Sequence, residues 1–188
     1  MTTTTATSAP AATVTTAAPA SRPTTLDALA ALDVAALTAV YRGGSVPDSL
    51  AALDGNPTCR MLAIRGLDHG LRGRALRALA AARFFPWAGK SFAAEDAAHG
   101  RGVNRVRLGD GKRWFPFATK VEPSAIDGRP CIFLDYDQAP NPRPIRMIRD
   151  ELREFAPGLF LGPAMLDDGR RPPRLALWFA CDARGARA

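Results

Sequence analysis

Two carboxylates and a group of arginines lie close together in the sequence, between residues 135 and 149. Asp135 and Asp137 flank Tyr136 at the end of an apolar run, and a strand would place both carboxylates on one face, about 7 Å apart. Two buried carboxylates at that separation need cations, or one of them must stay protonated. Three arginines follow at once: Arg143, Arg146 and Arg149. The pattern predicts either salt bridges that anchor the next element or the polar end of a ligand cavity.

These residues also allow a catalytic interpretation. A protonated Asp135 or Asp137 would act as a general acid. Tyr136 or Arg146 would then stabilise the negative charge that develops on the substrate. The sequence does not decide between this role, ligand binding and simple anchoring of the following segment.

Metal and phosphate chemistry have little support in the sequence. His69 and His99 are the two histidines, and neither has a neighbouring cysteine ligand, so no metal site is predicted. The Gly-Lys-Ser sequence at 89–91 resembles the end of a phosphate-binding loop, but that motif requires a glycine where this chain has Phe84. Lys90 is therefore interpreted as a loop cation, and no cofactor is expected.

The chain is strongly basic, with a sequence pI near 10.1 and a formal net charge of +7. Arginine supplies nearly all of this charge, and residues 61–125 carry twelve basic against five acidic groups. A GC-rich genome alone would favour arginine; the functional alternative is a partner that bears phosphates or carboxylates. Because no run of consecutive lysines or arginines resembles a nucleic-acid-binding tail, nucleic acid is not the expected partner. A basic module for a polyanion such as RNA remains a third functional alternative.

The three cysteines, Cys59, Cys131 and Cys181, are widely spaced and never form a Cys-x-x-Cys pair. This spacing predicts neither a disulfide framework nor a zinc cluster, and it favours a reducing compartment. The amino-terminal segment lacks the basic cluster and apolar stretch of a secretory signal, and no apolar run reaches the length of a membrane span. We therefore expect a cytoplasmic protein.

Composition divides the chain into a tail and one domain. Residues 1–24 are almost entirely Thr, Ala, Ser and Pro, a mixture with too little apolar bulk to compensate the entropy of ordering, so the tail is predicted to be disordered. The rest, 25–183, has the length of a single domain. Thr25 is predicted to cap its first helix.

Hydrophobic periodicity predicts amino-terminal helices followed by many short strands. The predicted helices cover 25–41, 47–53, 71–82 and 142–155. The predicted strands cover 58–65, 103–108, 113–121, 131–137, 159–166 and 174–182. Gly109-Asp110-Gly111 predicts a hairpin turn. So many strands close in sequence predict an α+β, mainly β fold, in which an antiparallel meander closes into a barrel with the amino-terminal helices packed on it.

The last two predicted strands are apolar on both faces, whereas a solvated meander would be polar on one. Helices can cover one face, so the other must face a core, a cavity or a second subunit. We predict an apolar cavity with Arg and Asp groups, including Arg149, at a cationic mouth. Its predicted lining consists of Phe115, Phe117, Phe133, Leu161 and Trp178.

Several of these segments resemble a family of bacterial proteins with a lipocalin-like, calycin-type barrel. The matching stretches are 135–137, 145–152, 157–162 and 177–179, and the resemblance covers residues 56–182. It implies a barrel whose cavity binds a small apolar or amphipathic molecule. The same scaffold is used by cofactor-free cyclases and isomerases of natural-product pathways, which gives the second functional alternative.

Overall fold

The computed structural model describes residues 23–64, 87–106 and 113–186. The predicted helix at 71–82, the hairpin at 109–111 and the tail up to residue 22 lie outside the described residues. Within these ranges the helices are α1 (Leu26–Ala30), α2 (Val34–Arg42), a 3-10 helix (Leu50–Leu53) and α3 (Arg143–Arg146). The strands are β1 (Thr58–Ile64), β2 (Trp87–Ala94), β3 (His99–Val106), β4 (Arg113–Pro123), β5 (Pro130–Asp135), β6 (Ile148–Ala156), β7 (Leu159–Leu166) and β8 (Arg174–Asp182).

The eight strands form one antiparallel sheet in the order β1-β8-β7-β6-β5-β4-β3-β2. Strands β2 to β8 are a meander, and β1 pairs with the last strand. The two edge strands approach each other where Gly55, just before β1, and Phe92 of β2 exchange two backbone hydrogen bonds of 2.9 Å. The sheet is thus a nearly closed barrel, which confirms the predicted fold class.

Two separate apolar cores explain why the last strands are apolar on both faces. Phe179 and Cys181 of β8 belong to the core inside the barrel, with Phe117. Trp178 and Ala180 alternate with them and belong to an outer core under α1 and α2. Each face of β8 is therefore buried, one by the barrel interior and one by the helices.

The amino-terminal segment forms two helices rather than one. The Thr25 side chain accepts a hydrogen bond from the Ala28 amide at 3.0 Å, which confirms the predicted cap. Asp33 accepts one from the Ala36 amide at 2.8 Å and so begins α2. Because a capping side chain stabilises a new helix start, Asp33 divides the predicted helix.

The prediction of a helix over 142–155 is wrong. Only the four residues of α3 are helical, and the chain then continues as β6, which pairs with β5 on one side and β7 on the other. The charged side chains of this segment are good helix formers, but pairing on both edges overrides local propensity. Asp150 and Leu152 face the interior, while Glu151 and Arg153 face outwards, as the alternation of a strand requires.

The segment before 103, in which the sequence predicts no strand and a loop at Lys90, is also strand: it forms β2 and the start of β3. Gly102 lies opposite Phe117 on β4, where a Cβ atom would come within 2.2 Å of the Ser91 carbonyl oxygen and 2.5 Å of the Phe117 ring. Glycine is required at position 102 because the Phe117 ring on the neighbouring strand occupies the space that a Cβ atom would need. Local sequence does not indicate such a contact between strands.

The prediction that the cysteines form no disulfide is wrong as well. Cys59 of β1 and Cys181 of β8 lie directly opposite each other and are bonded, with Cα atoms 4.1 Å apart. Strand pairing joins residues 122 positions apart, a relation that spacing in the sequence cannot reveal. Cys131 is a buried free thiol. The cysteines therefore give no support for a reducing compartment. Among the described residues, no helix has both the length and the apolar character needed to cross a membrane.

Candidate functional site

The two predicted catalytic carboxylates lie at the surface. Asp137 is exposed and pairs with Arg146 of α3, and Asp135 lies 3.8 Å from the Lys120 ammonium. Tyr136, between them, points the other way and is fully buried in the barrel. The structure therefore separates the two carboxylates and Arg146 from Tyr136, and no single site holds all four residues.

The predicted cavity lining is divided between faces of the sheet. Phe117 is buried inside the barrel, and Phe115 packs against the same interior core. Leu161 and Trp178 belong to the outer core under the helices. Phe133 is half-buried on the outer surface, where the Arg149 guanidinium lies 4.4 Å from its ring centroid. Of the predicted lining residues, the structure brings only Phe115 and Phe117 together inside the barrel.

A cluster of four polar side chains lies inside the barrel: Lys90, Asn104, Tyr136 and Asp150, hereafter the Lys90 cluster. The Lys90 ammonium is 2.8 Å from a carboxylate oxygen of Asp150 and donates to the Asn104 side-chain oxygen at 2.8 Å. It also donates to the Tyr136 hydroxyl. That hydroxyl donates in turn to the same Asp150 oxygen at 3.2 Å. The Lys90 and Asp150 side chains are each only 4% exposed.

Barrel closure assembles this cluster from four places in the chain. Lys90 on β2 and Asn104 on β3 are direct cross-strand partners and so share a face. Tyr136 follows β5, and Asp150 projects inwards from β6. Among the described residues, three aromatic rings lie around the ammonium, those of Phe117, Tyr136 and Phe179, with centroids 5.6, 5.2 and 5.0 Å from it. Such rings stabilise a cation while keeping water away.

The surroundings change the proton affinity of two members of the cluster. Burial lowers the pKa of Lys90, and the attraction of Asp150 opposes that shift. Burial, reinforced by the Asp150 charge, raises the pKa of Tyr136, so that its hydroxyl keeps its proton. The second Asp150 oxygen is buried and accepts no hydrogen bond within the described part of the chain. An amine, a phenol and a carboxylate thus meet in one dry site, an arrangement capable of acid–base chemistry.

A cleft of about 450 Å³ lies beside this cluster. It is bounded by neighbouring positions of β2, β3 and β4, namely 91–93, 101–103 and 116–118, together with Gly55, Asn56 and Gln138. Phe117 belongs to both sites, because it lines the cleft and its ring centroid lies 5.2 Å from that of Tyr136. Arg101 at the cleft is exposed and pairs with Glu95 at 3.2 Å.

A second cleft, of about 630 Å³, is mainly charged and shares no lining residue with the first. Its walls are Asp137, Arg143, Arg146, Met147, Asp168 and Arg170. Two of the three arginines noted in the sequence lie here. The third, Arg149, instead donates to Glu151 at 2.9 Å on the outer face of the barrel.

The outer face carries the buried charged side chains of Glu151 and Arg153, and both are paired. Glu151 accepts hydrogen bonds from Tyr41, Ser124 and Arg149 and from the Ala125 amide. Arg153 is completely buried and makes a bidentate contact with Asp127 at 2.7 and 2.9 Å. Because every charge here has a partner, this region fixes the helices to the barrel rather than offering a site.

Sequence reasoning singled out Tyr136 but missed its partners Lys90, Asn104 and Asp150. The sequence predicts a helix at Asp150 and a loop at Lys90, and both predictions are wrong because both residues lie on strands. The one usable signal is rarity: Lys90 is one of three lysines among 25 basic residues. A compact ammonium and a guanidinium are not interchangeable inside a core.

Comparisons with known proteins assign no family. No protein-family model matches the chain, and no curated protein matches it. A solved structure that is similar, described as the crystal structure of a protein from Thermomonospora curvata, is 16% identical, with a TM-score of 0.48; the match covers 80% of this chain and 87% of that one. This likeness indicates nothing about function, and lipocalin-like membership stays a prediction.

Proposed function

We propose that the barrel binds a small, mostly apolar molecule that carries a carbonyl or hydroxyl group. Its apolar part would lie in the cleft against Phe92 and Phe117, and its polar group would reach the Lys90 cluster. The observation that carries this proposal is a buried ammonium–carboxylate pair beside an open cleft whose lining is mainly apolar. The cleft volume falls within the usual range for ligand pockets, roughly 300–1,000 Å³.

Energetics support a ligand-related role for the pair. Replacing a buried ion pair by apolar side chains of similar volume is often neutral or stabilising, so fold stability alone gives little reason for charges in this core. One Asp150 oxygen also lacks a donor among the described residues. A ligand hydroxyl would supply that donor and remove the cost of leaving a buried acceptor unsatisfied.

Two nearly isosteric probes, 2-naphthol and naphthalene, test the polar half of this proposal. Both fill an apolar cleft, but only the naphthol can donate a hydrogen bond to Asp150. We expect micromolar binding of the naphthol, near 8 kcal/mol, and a preference over naphthalene of about tenfold or more, because hydrogen bonds to charged groups contribute roughly 1.5–3 kcal/mol. Fluorescence titration measures both affinities, and native mass spectrometry of the purified protein shows any molecule that co-purifies.

Matched variants separate binding from stability. Asp150→Asn should abolish the naphthol preference while keeping the shape of the side chain. Arg153→Met removes a buried charge on the outer face, so it should lower stability and leave both affinities unchanged. Equal affinities for the two probes in the wild-type protein, or no binding of either, would refute the proposal.

A second candidate is a cofactor-free isomerase or cyclase that uses the same cleft. The specific observation in its favour is the juxtaposition of Lys90, Tyr136 and Asp150 inside the barrel. In this candidate these three residues, rather than Asp135 and Asp137, would be the acid–base groups. Neutral Lys90 would remove a proton next to a carbonyl, while the Tyr136 hydroxyl donates to the carbonyl oxygen. Deuterium uptake by a small aryl ketone in D₂O, followed by NMR and compared between wild type and Lys90→Met, tests it.

A further inference from the structure

We propose that Lys90 is a reactive amine that forms an imine with small aldehydes and ketones entering the barrel. This inference rests on the proposed function, because the carbonyl compound must first occupy the cleft. It names the ligand class more closely: a carbonyl compound with an apolar, ring-sized body. It also gives the Lys90 cluster a chemistry that hydrogen bonding alone would not require.

The cluster holds the three groups that imine formation uses. The Lys90 nitrogen is the nucleophile, and its position is fixed by Asp150, Asn104 and the Tyr136 hydroxyl. Asp150 lies within 2.8 Å of that nitrogen and can take its proton. Burial of the Lys90 nitrogen favours the uncharged, nucleophilic amine. Tyr136 remains protonated and can donate to a carbonyl oxygen.

The reaction balances without any other reactant. The Lys90 ammonium gives a proton to Asp150, and the neutral nitrogen attacks the carbonyl carbon. As the N–C bond forms, the carbonyl π electrons move to oxygen, which takes the Tyr136 proton; the phenol is restored with the proton that leaves nitrogen. The carbinolamine then loses hydroxide, protonated by Asp150, and the nitrogen lone pair forms the C=N bond. One ammonium and one carbonyl give one protonated imine and one water, and Asp150 and Tyr136 return to their starting states.

Lys90 does not line the cleft, so a carbonyl compound would have to enter past Phe117. This ring lines the open cleft, lies over Gly102, and has its centroid 5.6 Å from the Lys90 ammonium. Entry of a flat aromatic aldehyde would disturb the contact between the Phe92 and Phe117 rings. The aldehyde ring can stack against these two rings from the cleft side, and this stacking would replace the lost contact. Benzaldehyde, which combines one ring and one aldehyde, is therefore the probe of choice.

Reductive trapping gives a direct test, because the chain has three lysines, Lys90, Lys112 and Lys120. The full-length protein is incubated with benzaldehyde and cyanoborohydride, and peptide mass mapping locates the benzyl group. We expect Lys90 to be labelled first, although Lys120 is far more exposed. This early labelling of Lys90 is the fast phase of the reaction. Lys90→Met should remove the fast phase, and Lys120→Met should keep it. Tyr136→Phe retains the ring and should slow labelling by at least about tenfold.

Two further measurements keep the inference falsifiable. If Lys90→Met fails to fold, Lys90→Arg retains the positive charge and the donors but cannot form an imine, and it should lack the fast phase. Binding of 2-naphthol is measured on the same wild-type sample. If the naphthol binds and Lys90 is labelled no faster than Lys120, the imine inference is wrong and the binding proposal stands. If neither naphthol binding nor labelling of Lys90 occurs, both are wrong.

Discussion

Replacing Arg153 by methionine removes the charge that joins the outer face of the barrel to the 124–130 turn and to α2. The guanidinium donates twice to Asp127 and also to the carbonyl oxygens of Pro130 and Arg129, at 2.9 and 2.8 Å. It lies 4.4 Å from the centroid of the Tyr41 ring. Methionine matches the length of the apolar stem but leaves these acceptors without their donors.

The magnitude follows from how deeply each partner is buried. Breaking a buried ion pair costs roughly 3–5 kcal/mol. Arg153 is fully buried, but the Asp127 side chain is 14% exposed, so water can solvate the carboxylate that remains. We therefore expect a loss near the lower limit, about 3 kcal/mol. For a chain of this length that corresponds to a decrease in Tm of about 6–12 °C.

Urea unfolding followed by tryptophan fluorescence measures the loss, because Trp178 is buried against Tyr41 in the same outer core. The matched control is Arg146→Met, since the Arg146 and Asp137 side chains are 42% and 60% exposed. An exposed pair contributes at most about 1 kcal/mol. If Arg153→Met lost less than that, or no more than the control, the assigned role of the outer ion pair would be wrong.

Three further predictions concern acid stability, close packing and thiol reactivity. Hydrogen bonds from Arg153 lower the pKa of Asp127, so their stabilisation should be complete above the usual aspartate pKa and lost as pH falls through the lower folded-state value; acid titration of Arg153→Met should lack this component. Gly102→Ala should lose more than about 2 kcal/mol through overpacking, whereas Gly185→Ala, with nothing within 4 Å of the new Cβ, should change stability by under about 0.5 kcal/mol in the same melts. Burial raises the pKa of Cys131 to about 12, so a thiol reagent should find no reactive thiol in the native protein, one in urea, and three after reduction.

The last two strands illustrate what local sequence can predict. Both β7 and β8 have the bounds expected from the sequence. Burial of both faces of these strands was also predictable, because neither face is polar. The cap at Thr25 was equally readable, since a capping side chain acts on an amide three residues away. These features depend on neighbours along the chain, which is why the sequence predicts them.

Features that depend on distant partners were not predictable. The charges of β6 suit a helix, and only pairing with β5 and β7 makes it a strand. Lys90 belongs to a buried polar cluster only because the barrel brings Tyr136 and Asp150 within hydrogen-bonding distance of it. These partners are 46 residues or more away in the sequence. The bond between Cys59 and Cys181 likewise follows from strand register. A single sequence without these pairings gives the scaffold but not the residues that meet inside it.

The gap between β1 and β2 gives this barrel a mechanical property that fully sealed barrels lack. In a sealed barrel, strand number and stagger together determine the diameter. Here no ladder joins the two rims within the described ranges; the links between them include the bridge of Gly55 and Phe92 and two side-chain bonds, from the Ala94 amide to Asp54 at 2.7 Å and from Arg105 to the Pro57 carbonyl at 2.8 Å. The circumference can therefore expand along this line without shifting the register of any ladder. Phe92, at this gap, also lines the cleft. The part of the barrel that can expand is therefore the part that the proposed ligand would contact.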